Sequence, residues 1–412
     1  MRSILMKTGM TFKNKDFLFI LNKINNDYDN KNEMYQENKL RNILNFCYKH
    51  IPYYKKIENY HGFNLKNFPI LTKDMIKKDY NNFLPNIEVP YVIGHTGGST
   101  GEPFQYRMSR EDEITSLALM YHGWSYAGYN LGDSMFLIGG RSIVSPQKTM
   151  MGNIKSYILN EKRYSSFELS DIQINKIIDD INKYKPKFIK GYAASLDLIA
   201  RYILQYNKKI DYIPNGIFST AEMLYPQARK NIEEAFNGSK VFNQYGINDG
   251  GVSAFECMEG KMHIDTFRSI LEVKNNKILA TNLINKAFPF IRYDTGDLGE
   301  LQEDYSCKCG RTSSILTNII GRQGDFITLP DGSKVHPVFF DNLFWNIKCR
   351  KFQVIKERND ITILIIPWEE KTIDINFIKN IVEEKCKDMK IEIQIVDEIK
   401  SDNKYRSVIV ND

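Results

Sequence analysis

Apolar and polar positions along this chain follow two textures. Between residues 16 and 50, apolar residues recur at mixed three- and four-residue spacing, the period of helices with one buried face. Leu71-Thr-Lys-Asp74 reads as a helix start, with Thr72 as N-cap and Asp74 in the first turn. Short apolar runs then appear, each closed by glycine or polar residues: Ser134–Ile138 before Gly139-Gly140, Lys187–Gly191, Gly216–Phe218 and Lys240–Phe242. Helical patterns at Ala194–Gln205 and Tyr225–Phe236 lie between them. Strands alternating with helices predict parallel sheets covered by helices, which bind ligands at the carboxyl ends of their strands.

Beyond about residue 265 the texture changes. Ile270–Val273 and Lys277–Thr281 flank Lys274-Asn-Asn276 as a β-hairpin would. Phe326–Asp341 contains the turn Pro330-Asp-Gly332. Residues 351–397 read as strand, a turn at Asn359-Asp360, strand (Thr362–Ile366), helix (Ile375–Cys386) and strand (Ile391–Val396). The expected fold class is therefore α/β. It has a large N-terminal domain, residues 1–324, of helix-covered, mainly parallel sheets plus a β-subdomain. A small α+β domain, residues 325–412, follows a boundary near Asp325. No internal repeat or low-complexity tract interrupts this pattern.

Composition narrows the class. The 412 residues are 42% hydrophobic and 26% charged, enough for a large core in a soluble protein. The net charge of +6 is spread among carboxylates, so no nucleic-acid footprint emerges. No run has the apolar length of a membrane span. The apolar run at Phe17–Leu21 is short and flanked by charges, unlike a secretory signal, so a cytoplasmic location is expected. The cysteines are Cys47, Cys257, Cys307, Cys309, Cys349 and Cys386, expected as reduced thiols there. Only Cys307-Lys-Cys309 forms a close pair.

Chemistry enters with His95-Thr-Gly-Gly-Ser-Thr-Gly-Glu-Pro103. Glycines let backbone N–H groups approach a ligand, and the hydroxyls add donors for a polyphosphate such as that of ATP. From these residues alone a solvated turn reads equally well, and no P-loop lysine follows. Four later motifs change that balance. Asn243-Gln-Tyr-Gly-Ile-Asn-Asp249 follows the strand at 240–242, placing it at a strand's carboxyl end. Arg292-Tyr-Asp-Thr-Gly-Asp297 sets a carboxylate, a natural acceptor for a ribose diol, beside a glycine turn. Ile320-Gly-Arg-Gln-Gly-Asp325 lies at the expected boundary, and Ser401–Val408 presents Lys404 in a polar loop before an apolar strand.

In this order the motifs resemble those of the adenylate-forming (acyl-CoA synthetase) superfamily, from about Phe68 to Val410. Within it, Tyr245–Cys257 and Cys307-Lys-Cys-Gly-Arg311 resemble the phenylacetate–CoA ligase-like branch, including the CapK-type proteins associated with capsular polysaccharide loci. The resemblance implies roles. Thr96, Gly97, Gly98, Ser99, Thr100 and Gly101 match the phosphate-binding loop. Tyr245 and Gly246 match the aromatic–glycine pair beside adenine and the acyl carboxylate. Asp249 stands where the superfamily has a glutamate that helps hold Mg²⁺, one methylene shorter. Asp297 and Arg322 match the ribose-binding pair, and Asp325 the hinge of a C-terminal lid. Lys404 matches the lysine that contacts the substrate carboxylate and α-phosphate; Asn403 replaces the usual glycine before it.

Cys257, His263, Cys307 and Cys309 would suit a tetrahedral Zn²⁺. Their spacing matches no zinc-finger pattern, and incidental buried cysteines read equally from spacing. Similar positions form a structural zinc site in some relatives of that branch, which favours zinc. The acyl pocket is expected among Trp124, Tyr126, Tyr129, Gly139, Gly140, Arg141, Tyr192 and Ser219–Glu222. His95 and His122 show no partner in the sequence. The implied activity is ATP-dependent activation of a small-molecule carboxylic acid as an acyl-adenylate. Transfer would follow to coenzyme A, or to an amine such as an amino sugar for a surface polysaccharide. A homodimer is carried as an option. The alternatives are a nucleotide-binding protein of this fold without turnover and a zinc-stabilised scaffold without nucleotide.

Overall fold

The computed structural model describes residues 6, 16–27, 33–57, 63–95, 104–140, 150–166, 169–303, 305–322, 326–345, 347, 349–369, 373–399 and 405–411. The stretch Thr96–Pro103, Arg141, Asp325, Asn403 and Lys404 lie outside the described residues.

Strands β1 (Tyr91–His95) and β2 (Gln105–Ser109) form an antiparallel pair that closes at His95 opposite Gln105, on either side of the glycine/hydroxyl loop. Strands β3 (Met135–Gly139), β4 (Glu161–Ser165), β5 (Phe188–Tyr192), β6 (Gly216–Thr220) and β7 (Val241–Ile247) are the parallel half of a large sheet. Strands β8 (Val252–Glu256), β9 (Met262–Ile264), β10 (Ser269–Lys274), β11 (Lys277–Asn282), β12 (Tyr293–Gln302) and β13 (Ile315–Arg322) extend it with antiparallel pairings. The order across all eleven strands is β10-β11-β12-β13-β9-β8-β7-β6-β5-β3-β4. Strand β7 joins the halves: residues 241–243 pair parallel to β6, and 244–247 pair antiparallel to β8.

Local chemistry sets the element ends. Thr72 accepts from the Met75 N–H and starts the helix Lys73–Lys78 as expected. Ser109 caps Arg110–Ser125 and Ser170 caps Asp171–Tyr184 by the same device. Asn275 and Asn276 take φ of 52° and 61°, which closes the β10–β11 hairpin tightly. One face of the parallel half packs Phe136, Ile138, Ile189, Ile217 and Val241 against Ile177, Ile181, Ile199 and Ile203 of two helices. The other face is aromatic, with Phe188, Phe218 and Phe242 against Trp124 and Tyr129.

Two elements differ from expectation. The strand foreseen at 240–242 continues through Ile247, so Tyr245 and Gly246 lie inside it, and Asp249 occupies the turn beyond. Pairing with β8 supplies partners that hydropathy alone does not reveal. Likewise, Tyr293–Asp297 is strand, not turn. The β11–β12 register shifts there, and Gly296 at φ 77° supplies the left-handed residue of the irregularity.

Arg268 and Asp112 form a fully buried ion pair (Nε–Oδ1 2.7 Å, Nη2–Oδ2 2.9 Å), both side chains 0% exposed. It ties the first turn of Arg110–Ser125 to the turn before β10.

Residues 326–411 build a separate core around Ile327, Phe340, Val354, Ile363, Ile378 and Val408. Its sheet has strands β14 (Ile327–Thr328) and β15 (Lys334–Val335) as a small pair, then β16 (Cys349–Glu357), β17 (Asp360–Pro367), β18 (Lys390–Ile395) and β19 (Val408–Asn411) in the order β18-β17-β16-β19. Arg201 connects this unit to the large one, donating to the carbonyls of Cys349 (2.7 Å) and Arg350 (3.2 Å). Arg350 pairs with Asp171 at 2.6 Å. Among the described residues, no helix is long and apolar enough to cross a membrane.

Candidate active site

Tyr245, Asp297 and Arg322 come from three strands and meet. The Tyr245 hydroxyl donates to Asp297 Oδ2 at 2.9 Å. Asp297 stands opposite Arg322 in the β12–β13 register, with Nε 3.6 Å from Oδ1. Asp297 is buried, whereas the Arg322 side chain is 45% exposed. Burial, then the Asp297 carboxylate, holds the Tyr245 phenol well above its ordinary range, so it remains a donor.

Asp249 lies beside this group. It accepts from the Tyr293 hydroxyl at 2.9 Å. Burial pushes its carboxyl up, while the Tyr293 hydrogen bond and the charges of Lys73 and Arg322 oppose the shift. Lys73 is the residue that sequence reasoning missed. It follows the N-cap Thr72, and Leu71 bridges to Tyr293, its N–H donating to the Arg292 carbonyl at 3.0 Å and its carbonyl accepting from the Asp294 N–H at 2.8 Å. That bridge brings the lysine under the influence of Asp249. Burial, then Lys77, lowers the ammonium, and Asp249 partly restores it. The helix start was legible, but its distance from Tyr293 in sequence hid the juxtaposition.

The four metal-candidate residues also meet. Their ligand atoms all lie within 4.8 Å of one another. Cys257 Sγ is 3.8 Å from Cys307 Sγ, and Cys309 Sγ is 3.4 Å from His263 Nε2. A disulfide needs about 2.05 Å, whereas tetrahedral bonds of about 2.3 Å to sulfur put thiolates about 3.8 Å apart. Cys257–Gly260 and Cys307–Gly310 are matching turns: each glycine N–H donates to its cysteine carbonyl at 2.9 Å, with φ of 68° and 89°. His263 turns Nδ1 to Ser313 Oγ at 3.0 Å, leaving Nε2 facing the thiols. Burial, then Arg311, lowers its pKa to about 4, so the ring is neutral at physiological pH and able to ligate.

The aromatics expected at the acyl pocket divide. Tyr126 lies under Arg311 (3.5 Å to the ring centre), beside the cysteines. Tyr129 is core, while Trp124 and Tyr192 are buried near the carboxyl end of β5. Glu222 Oε2 accepts from the Ala194 N–H at 3.0 Å, near the start of the following helix. His122, partnerless in the sequence reading, has two partners: Asn25 Oδ1 at 2.7 Å and the Tyr126 hydroxyl at 3.2 Å. Those are tertiary contacts, invisible in spacing. His95 ends β1 exposed.

The chain is similar to several known proteins. Residues 327–411 match the family model described as the CapK C-terminal domain. Protein CapK of Staphylococcus aureus is 27% identical over 380 residues, covering 88% of this chain and 83% of that protein. Phenylacetate-coenzyme A ligase of Thermus thermophilus is 25% identical over 336 residues, covering 73% and 72%. The solved structure of 2-hydroxyisobutyryl-CoA ligase in the postadenylation state shares the fold, with TM-score 0.69, 16% identity and coverage of 91% and 89%. The same ligase in the thioesterification state gives 0.56 at 18% identity, covering 91% and 89%.

Proposed function

Since the chain is a CapK- and phenylacetate–CoA ligase-like protein of adenylate-forming fold, we propose that it activates a carboxylic acid with ATP and passes the acyl group to a thiol or amine. The observation that carries this reading is the Tyr245–Asp297–Arg322 arrangement. A buried carboxylate supplies acceptors for both hydroxyls of a ribose. Tyr245 presents a ring for the adenine, Arg322 reaches the ribose from the solvent side, and the Thr96–Gly101 loop holds the phosphates.

The acid's carboxylate oxygen attacks the α-phosphorus, forming a P–O bond as the bond to pyrophosphate breaks. The product is a mixed anhydride. Alignment and neutralisation of charge supply the catalysis, with Lys404 at the reacting oxygens and Lys73 as a second cation near Asp249. Asp249 would help hold Mg²⁺, which would supply charge to the departing pyrophosphate. The thiol of coenzyme A or an amine then displaces AMP at the acyl carbon. Residues 1–324 would form the adenylation domain and 325–412 a lid hinged at Asp325. We further propose a cytoplasmic setting and a role in surface polysaccharide assembly.

The test is pyrophosphate release with Mg-ATP across aromatic, aliphatic, hydroxy and amino acids, first with hydroxylamine and then with coenzyme A. Release dependent on an added acid is expected, and a further rise with coenzyme A identifies a thiol acceptor. ATP binding without release from any acid would leave a nucleotide-binding protein without turnover.

Cys257, His263, Cys307 and Cys309 would hold a closed, structural Zn²⁺ that staples β8 and β9 to the 307–310 turn. Cys309→Ser is expected to lose zinc and melt several degrees lower. Metal analysis and calorimetry check this; equal melting with no zinc in either protein defeats the assignment.

A further inference from the structure

Lys190 is a charged residue in an apolar place. It lies on β5, only 9% exposed. Its ammonium sits 4.6 Å above the Trp124 ring centre and 3.5 Å from Met120 Sδ, both on the helix Arg110–Ser125. Among the described residues, no carboxylate lies within ion-pair distance of it. The charges acting on it are Glu161 and Arg163, which pair with each other (Nε–Oε2 3.1 Å) and act in opposite directions. Burial, the largest influence, lowers the ammonium to about 8. A core lysine usually has a partner for its charge, because an uncompensated buried charge is costly.

Two more donors on this face lack acceptors. The buried indole N–H of Trp124 and the side-chain amide nitrogen of Gln244 have no hydrogen-bond partner. The strand register places Lys190, Phe218 and Phe242 abreast, and Gln244 lies two residues beyond Phe242 on the same face. An ammonium, an indole N–H and an amide thus share one face of the sheet, and along β7 Gln244 directly precedes Tyr245, whose side chain leaves from the opposite face to reach Asp297. Such donors, grouped with an ammonium, suit an oxygen-rich, anionic guest.

We propose that Lys190, with Trp124 and Gln244, binds a second carboxylate of the acid substrate, so that the preferred substrates are dicarboxylic acids activated at one end only. This rests on the adenylation reading. The far carboxylate stays unreacted: the ammonium neutralises it, while the indole and amide N–H groups donate to its oxygens. Monocarboxylic acids would leave the donors as they are now, unsatisfied.

The experiment measures calorimetric binding of linear α,ω-dicarboxylic acids and of monocarboxylic acids of matched chain length. It uses the full chain with a non-hydrolysable ATP analogue, as wild type and as Lys190→Met. Methionine keeps the length and removes the buried charge, so the variant should fold, and its melting temperature checks this. The wild type is expected to bind the diacid about thirty-fold or more tighter than the monoacid, the effect of one buried charge pair. Lys190→Met should lose that preference with monoacid binding unchanged. Equal binding of both classes, binding of neither, or a preference that survives Lys190→Met overturns the proposal. Acid-dependent ATP–pyrophosphate exchange separates the two readings. Exchange with monoacids alone defeats the dicarboxylate assignment and retains adenylation. Diacid binding lost in Lys190→Met, without exchange, retains the assignment and defeats adenylation.

Discussion

Lys404→Ala is expected to lower acid-dependent pyrophosphate release by about a hundred- to a thousandfold, the effect of removing one aimed charge or donor from a developing anion. Transfer from a supplied acyl-adenylate should stay close to wild type, because that step needs no charge at the α-phosphorus. The polar loop carrying Lys404 has both flanks tied to β16: the Lys351 ammonium donates to the Ile399 carbonyl (3.1 Å), and the Tyr405 hydroxyl to the Phe352 carbonyl. The lysine therefore belongs to the small C-terminal unit and would move with it. Half-reaction kinetics decide the matter. Equal loss of both steps would show that Lys404 supports the fold or the acyl site generally, and would refute a lid that serves adenylation alone.

The second large effect concerns stability. Asp112→Ala is expected to cost about 3–5 kcal/mol, because it strands the Arg268 guanidinium in a place with no solvent access. Arg268 Nη1 already lacks a partner, so the arginine has little left to lean on. The Asn282 amide, which also approaches Asp112 at 3.3 Å, loses its acceptor too. On the order of 10 °C in melting temperature follows. By contrast, Arg41→Ala, which breaks an exposed pair with Glu37, should change stability by less than about 1 kcal/mol. Scanning calorimetry of both variants checks the contrast. A loss for Asp112→Ala no larger than that for Arg41→Ala would mean the buried pair contributes nothing net. Replacing both Asp112 and Arg268 by apolar residues should recover part of the loss, since the cost lies in the unpaired charge.

What the chain reveals locally is what local physics decides. Thr72, Ser109 and Ser170 satisfy helix N–H groups within three residues, and the paired asparagines 275 and 276 turn a hairpin by their own backbone preference. Buried parallel strands need continuous apolar runs, so Met135–Gly139 and Phe188–Tyr192 were visible within a residue. Motif order carried the likeness to adenylate-forming proteins, because binding residues at strand ends keep their order along the chain.

Tertiary structure decided what depends on register and distant contact. Tyr245 became a strand residue only because β8 pairs with it. Cys257 and His263 found Cys307 and Cys309 only because β9 pairs with β13, just before which the second cysteine turn lies. Lys73 gained its place beside Asp249 through one bridge between Leu71 and Tyr293. Lys190 stands out only where a sheet face and an indole enclose it. Helix caps and turns are chosen by neighbours in sequence. Burial and electrostatic partnership depend on strand order and register, fixed by burial over the whole sheet, which no short stretch of sequence records.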